Sequence, residues 1–314
     1  MNDAQREQAP YGYGQRGVID TALALRATGQ AFALALVVEA EGSTYRKPGA
    51  LAVVAEDGAR VGVISGGCLE PGLNTLAREA LTADSPRVAV FDTRGDDDLL
   101  FGSGSGCRGR MRVLTLPVRP GRACAALDAI AEAFVQCRSV TLPLSELAPT
   151  LFTEGRVDFR PPPHLLLLGA GPEAPPLLRI ARTLGWYGSV ADHREALLAP
   201  ERMREADRIL ARRPGPALAE LAGERLDAVL VMTHLAGADL EVLRALAARS
   251  VPYVGLLGPP MRRDDLLAQL EAHERTALHD RLHAPVGLRL GGEGPEAIAL
   301  AIAAELQRAF HPRP

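Results

Sequence analysis

Apolar positions along this chain fall into two rhythms: short continuous runs bounded by turn residues, and longer stretches with apolar residues at helical spacing. Val18 to Thr28, with Ile19, Leu23 and Leu25 among alanines, predicts a helix closed by Gly29. Phe32 to Val38 is a continuous apolar run that predicts a strand. Leu51 to Ala55 and Ala59 to Ile64 predict two more, joined by Asp57 and Gly58, a pair whose backbone accepts the tight turn of a hairpin. Leu69 to Leu81 predicts a helix, Val88 to Phe91 and Met111 to Val118 predict strands, and the Ala-rich stretch from Arg122 to Cys137 predicts another helix. Ser139 to Phe159 reads as short strand and turn.

Pro161, Pro162 and Pro163 form a stiff break, and the pattern changes after it. We place the domain boundary there, with residues 1–160 as an N-terminal α/β domain and residues 161–314 as a second domain. The second domain opens with an apolar strand, Leu165 to Leu168, a glycine turn and an amphipathic helix. Gly169, Ala170, Gly171, Pro172, Glu173 and Ala174 fit the dinucleotide fingerprint with alanine in the third glycine position. Gly169 permits the tight turn, and Gly171 lets a pyrophosphate approach the helix start. About 20 residues on, Ser189 to Ala191 ends in Asp192, placed to accept bonds from ribose hydroxyls. Pro172, Pro175 and Pro176 remove donors that a pyrophosphate would use. Two later units, the strand in Asp227 to His234 with helix Leu240 to Ala248, and Tyr253 to Gly258 with helix Asp264 to His273, predict a Rossmann-like doubly wound parallel sheet. Thr233, His234 and Gly258 fall at strand C-terminal ends, where such sheets bind ligands. A last apolar helix, Glu296 to Phe310, is read as core or subunit interface.

Composition narrows the function classes. The chain has 314 residues, 47% of them hydrophobic, with 35 basic against 38 acidic side chains and a net charge of -3, which argues against a nucleic-acid or anionic-membrane partner. No apolar run approaches the roughly 18 residues of a membrane span, and the polar N-terminus lacks the apolar stretch of a signal peptide, so a cytoplasmic protein is expected. Its 4 cysteines make no disulfide framework and match no zinc spacing. Cys124 and Cys137 read as small buried hydrophobes in the Ala-rich helix. Cys68 and Cys107 stand in glycine-rich loops. One reading of such loops is a flexible turn with an incidental thiol. The other gives the thiols a task, since Arg108 and Arg110, or Arg46 and Lys47 if the loops meet, would stabilise a thiolate, and Cys68 precedes a predicted helix whose dipole acts in the same sense. The loop from Gly42 to Gly49 crowds Ser43, Thr44, Tyr45, Arg46 and Lys47 between two glycines, which suits an anion such as a phosphate or a pterin ligand.

In order along the chain, GSTYRKPGA, ISGGCLE, GSGSGC, LLGAGPEAPPL with its downstream DHR, VLVMTH, YVGLLG and HAPVGL resemble the XdhC/CoxI family, accessory proteins for the maturation of xanthine and carbon monoxide dehydrogenases. The resemblance spans about residues 18 to 308. It implies an N-terminal domain that handles the molybdenum cofactor (molybdopterin) and a Rossmann-like C-terminal domain. It further implies a chaperone that protects the cofactor while a cysteine desulfurase sulfurates it, then delivers it to a molybdenum hydroxylase apoenzyme, with no substrate turnover of its own. The implied cofactor-binding residues are Cys68, Gly66, Gly67 and Glu70, with Gly42, Ser43, Thr44, Arg46, Lys47 and Cys107, and Cys68 is the implied metal contact. The chain departs from the family at PPMRR after YVGLLG and at Arg289 after HAPVGL. A homodimer is expected from the apolar last helix.

The rival reading is an NAD(P)-dependent oxidoreductase with its nucleotide on Gly169, Gly171 and Asp192 and with His234 or Cys68 in acid or nucleophile roles. No obvious catalytic pair accompanies that fingerprint. A third reading is a redox-responsive adaptor in which Cys68 and Cys107 form a reversible disulfide.

Overall fold

A computed structural model describes residues 14–67, 69–94 and 108–311. The chain divides into two compact units, the first ending at Pro162 and the second starting at Pro163. The first unit runs α1 (Gly14–Ala27), β1 (Phe32–Gly42), β2 (Leu51–Ala55), β3 (Arg60–Val61), α2 (Glu70–Ala83), β4 (Arg87–Asp92), β5 (Gly109–Val118) and α3 (Ala125–Val135). It closes with β6 (Val140–Pro143), the one-turn α4 (Leu144–Leu147) and β7 (Arg156–Phe159).

Its main sheet has the order β3-β2-β1-β5-β4, with every neighbouring pair antiparallel. The continuous apolar run of β1 follows from burial on both faces. Phe32, Leu34 and Leu36 pack with Ile19 of α1 and Leu127 and Ile130 of α3, while Ala33, Ala35 and Val37 face Leu73, Ala77 and Leu81 of α2. Contrary to the sequence reading, β1 does not stop at Val38. Glu39 and Glu41 stand opposite Arg112 and Arg110 of β5, and these cross-strand ion pairs carry the polar end of the strand forward to Gly42. The Asp57-Gly58 turn forms as expected, with Asp57 accepting the Ala59 N–H at 2.9 Å and Gly58 at φ +84. The strand after it is cut to two residues because Gly62 adopts φ +94 with its missing Cβ only 2.5 Å from the Leu51 carbonyl oxygen. Cys124 caps α3 and is buried, which pushes its thiol up, whereas Cys137 lies beyond the helix at φ +50 and is only half-buried.

The second unit comprises β8 (His164–Leu168), α5 (Ala174–Thr183), β9 (Tyr187–Asp192), β10 (Arg208–Ala211), α6 (Pro214–Glu220), β11 (Ala228–Val231), α7 (Ala236–Ala247) and β12 (Tyr253–Leu256). It ends with α8 (Pro260–Ala268), α9 (Ala272–Leu278), β13 (Leu282–His283) and α10 (Pro295–Phe310). The parallel sheet is ordered β10-β9-β8-β11-β12-β13, the doubly wound order of a Rossmann fold. Leu165 and Leu167 pack under α5 and α10, Leu166 and Leu168 under α6 and α7, and each fully buried leucine contributes about 2 kcal/mol of transfer free energy. The apolar face of α10, with Ala299, Ile302, Ala303 and Leu306, is core.

Among the elements that escape the periodicity reading are β10, α6 and β13, all short. The single helix expected over Asp264 to His273 is instead two, because Glu271 and Glu274 form a capping box that starts α9. Among the described residues no helix is long and apolar enough to cross a membrane.

Candidate functional site

In the first unit, β1 delivers the loop of residues 43–49 to the start of β5. Ser43 N–H donates to the Arg108 carbonyl at 3.1 Å. Gly42 is at φ +68, and a Cβ there would stand 2.7 Å from that same carbonyl oxygen. Gly109 is equally constrained, since its Cβ would meet Ser43 O at 2.5 Å and Thr44 Cγ2 at 2.6 Å. The hydroxyl-rich loop and the residues that follow Cys107 therefore lie backbone against backbone, a contact that only glycines allow. Within the loop, the Thr44 hydroxyl donates to Arg46 O at 2.8 Å, and Lys47 Nζ folds back to Thr44 Oγ1 at 3.3 Å and Gly42 O at 3.4 Å.

The glycine turn after β3 meets the same loop. The exposed Tyr45 ring lies 3.8 Å from where a Gly66 Cβ would be. Ser65, buried at 2% exposure, accepts the N–H groups of Gly67 at 3.3 Å and Leu69 at 3.1 Å and donates to Glu70 Oε2 at 2.6 Å. One hydroxyl thus gathers the backbone on both sides of position 68 and ties it to the first residue of α2, which begins at Glu70 rather than at Leu69. Cys68 and Cys107 lie outside the described residues.

Ion pairing sorts the basic residues around these loops. Arg110 and Arg94 both reach Glu41, at 3.4 and 3.5 Å, and Arg94 also pairs with Asp92 at 2.6 Å. The Arg94 guanidinium holds the Asp92 carboxyl down at about 2. Arg112 pairs with Glu39 at 2.9 Å and stacks over Phe152. Arg46, Lys47 and Arg108 have no carboxylate partner among the described residues. Among the described residues they are basic groups left without a carboxylate on a chain that is slightly acidic overall. Sequence reasoning named Arg46 and Lys47, and treated Arg108 and Arg110 alike. Only the cross-strand register shows that Arg110 is committed to Glu41. Ser65 was not singled out, and nothing in its local sequence marks it apart from the glycines that follow it.

In the second unit the glycine turn after β8 sits where the strand order reverses between β8 and β11. Gly169 is at φ +124, its Cβ position 2.3 Å from Met232 O, so this residue can only be glycine. Its N–H donates to Ala191 O at 2.8 Å, and the next, Ala170 N–H, donates to Asp192 Oδ2 at 2.9 Å. Asp192 also receives Arg194 N–H and Nε at 2.9 Å each and Nη2 at 2.8 Å. Burial works to raise its pKa, but these donors outweigh it and hold the carboxyl at about 2. The acid expected to receive ribose hydroxyls is thus occupied in holding the turn and Arg194.

The donors of the helix start are few. Ala174 N–H bonds to Gly171 O at 3.1 Å, and Pro172, Pro175 and Pro176 have none to give. The N–H groups of Gly171 and Glu173 remain, without partners among the described residues. Beside them lies a carboxylate. Glu173 is 7% exposed, its Oε2 has no hydrogen-bond partner among the described residues, and His234 Nε2 is 3.7 Å away. A Cβ on Gly171 would sit 3.0 Å from that oxygen and 3.2 Å from His234 Nε2. The backbone of a dinucleotide fingerprint is present, while its anion-binding chemistry is largely replaced.

The neighbouring loops are rigidly tied. Thr233 Oγ1 donates to the fully buried Asp239 at 2.5 Å, and Arg262 Nη2 reaches the other oxygen of Asp239 at 2.6 Å. Arg262, from the PPMRR departure, lies across Gly258, at φ +138, with its Cδ 2.7 Å from the Cβ position. His234 follows with a left-handed backbone, φ +63. Of the other motifs, HAPVGL is anchored by Glu305 of α10, which meets His283 Nδ1 at 3.1 Å and the Gly287 N–H at 2.6 Å. A cavity of about 380 Å³ near Arg249, Pro252 and Arg281 is lined by the residues that lead into β12. Both arginines there are spent on backbone carbonyls, Arg249 on those of Leu218, Leu221 and Glu224 and Arg281 on those of Leu246, Arg249 and Val251, so the cavity is structural.

Comparisons with known proteins cover both units. A family model described as XdhC Rossmann domain matches residues 165–306, and one described as XdhC and CoxI family matches residues 25–92. The chain is 29% identical over 309 residues to a probable xanthine dehydrogenase subunit of Bacillus subtilis (strain 168), spanning 87% of this chain and 91% of that one. It is 26% identical over 316 residues to the molybdenum cofactor insertion chaperone PaoD of Escherichia coli (strain K12), spanning 96% of this chain and 90% of the relative. The crystal structure of a xanthine dehydrogenase from Bacillus halodurans matches with a TM-score of 0.77 at 30% identity, covering 94% of this chain and 96% of the other.

Proposed function

This chain belongs to the XdhC and CoxI family, and from that premise we propose that it is an accessory protein that binds the molybdenum cofactor and inserts it into a molybdenum hydroxylase of the xanthine dehydrogenase type. The observation that carries this reading is the backbone contact between the hydroxyl-rich loop, which carries Arg46 and Lys47, and Arg108 at the start of the strand after Cys107, three basic residues without carboxylate partners among the described residues. Molybdopterin carries a phosphate and a dithiolene, so basic residues at this junction together with the cysteines of the two family motifs would match both ends of its chemistry. In this reading Arg46 and Arg108 hold the phosphate, and the Ser65 network fixes the backbone that presents Cys68. The Cys68 thiolate is a soft ligand for a thiophilic metal and belongs to the family motif rather than to the described geometry.

The relative named as an insertion chaperone supports a carrier rather than a catalyst, and we assign no turnover of its own to the chain. Sulfuration of the held cofactor by a cysteine desulfurase and assembly as a homodimer complete the proposal. A nicotinamide role is less well served, because the helix start of α5 offers few donors and places Glu173 where a pyrophosphate would lie.

Retention of the cofactor tests the reading. The full chain and its Arg46→Ala/Arg108→Ala variant are isolated after co-expression with a molybdenum hydroxylase, and bound pterin is counted by its fluorescence after oxidative release. Loss of two charge-assisted contacts should lower retention at least roughly tenfold and flatten its dependence on salt. Equal retention by the two proteins would remove the proposed phosphate site.

A further inference from the structure

We propose that the crevice of the second unit recognises a 2-amino-4-oxopyrimidine edge, the donor and acceptor array shared by pterins and guanine, with Glu173 as its acceptor. This goes beyond the cofactor reading above and gives the second unit a ligand site of its own. The crevice lies at the C-terminal end of β8 and β11, where the strand order reverses and where ligands of such sheets bind.

A buried carboxylate oxygen without a donor carries a desolvation cost that a ligand N–H would relieve. Glu173 Oε2 is such an oxygen, and His234, its nearest basic neighbour at 3.7 Å, is beyond hydrogen-bond reach. Only glycine fits at position 171, because a Cβ there would press on Glu173 Oε2 and His234 Nε2 at 3.0 and 3.2 Å, so the backbone runs directly against the carboxylate. The Gly171 and Glu173 N–H groups are available beside the carboxylate. That edge presents the 2-amino group, the ring N3–H and the ring carbonyl in turn, so a carboxylate for the two N–H groups beside a backbone N–H for the carbonyl is its complement. The exposed side chains of Leu235 and Met261 follow β11 and β12 at the same C-terminal end of the sheet. A phosphate would instead bring negative charge to Glu173.

The His234 imidazole is half-exposed, so it can swing out as the ring enters, while Thr233, Asp239 and Arg262 hold the loop beneath it. Thr233 and Asp239 therefore act as positioning residues.

The test titrates the full chain with pterin, lumazine, guanosine and NAD+, following pterin fluorescence directly and the others by competition. Lumazine has the same ring system with oxygen in place of the 2-amino group. We expect pterin to bind, lumazine to bind at least roughly tenfold more weakly, and Glu173→Gln to weaken pterin by roughly 10- to 100-fold, as for loss of a charged hydrogen bond. Glu173→Gln preserves volume. His234→Ala, which only uncovers the crevice, should leave pterin affinity equal or higher and shows that a loss in the first variant is not misfolding. Guanosine binding above pterin keeps the edge and assigns it to a guanine-bearing ligand. Equal binding of pterin and lumazine, an unchanged Glu173→Gln variant, no pterin binding, or NAD+ binding above pterin would each overturn the inference. Those results leave the phosphate-site test independent, since cofactor retention there depends on Arg46 and Arg108.

Discussion

Removal of the Asp192 carboxylate should destabilise the second unit while leaving the first intact. In Asp192→Ala, the N–H of the fully buried Ala170 loses a charged acceptor, a loss of about 2 kcal/mol. The Arg194 guanidinium is 42% exposed, so its pairing adds only about 0.5–1 kcal/mol. The sum is about 3 kcal/mol, whereas Asp192→Asn keeps an acceptor and should cost about 1 kcal/mol. The chain has 1 tryptophan, Trp186, buried against Phe310 in the second unit, so its fluorescence reports that unit alone. With a urea slope of about 2 kcal/mol/M, the midpoint for Asp192→Ala should fall by about 1.5 M. The pH dependence fixes the cause. The folded pKa of Asp192 is about 2 against an ordinary 3.8, so the folded state binds this proton less readily than the unfolded state does. Its contribution is fully present above the ordinary value and is lost as pH falls through 3.8 towards about 2. Wild type and Asp192→Asn should therefore differ at pH 7 and converge in acid. A midpoint unmoved in both variants, or a gap that widens on acidification, would refute the assignment of Asp192 to the turn.

Two further substitutions probe the backbone at each candidate site. Gly169→Ala would bring a Cβ to 2.3 Å from Met232 O at φ +124, and we expect a loss above roughly 3 kcal/mol in the Trp186 melt, against about 1 kcal/mol for Gly29→Ala, at φ +69 with open space around it, in the melt of the first unit. Ser65→Ala strands two N–H groups and the Glu70 carboxylate, so hydrogen exchange at Gly67 and Leu69 should accelerate at least tenfold; unchanged protection would show that Ser65 does not order the turn.

Much of this protein could be read from its residues because local burial leaves a periodic trace. Leu165 to Leu168 ahead of Gly169 and an amphipathic helix could be little other than the first strand, turn and helix of a parallel sheet. The ordered motifs likewise pointed to the family that the comparisons support. Elements too short to show a period, such as β10 and β13, became visible only as edges of the assembled sheet. The sites divide along the same line. A glycine's need for a left-handed turn is local and legible, but the partner of a charge is set by strands far apart in sequence. Arg110 is neutralised because β5 lies beside β1 and Glu41, Asp192 is consumed because β9 ends beside Ala170, and Glu173 is left without a donor because the helix start folds it inward. Which ionic groups remain for a ligand is a property of that long-range packing, and no stretch of sequence carries it alone.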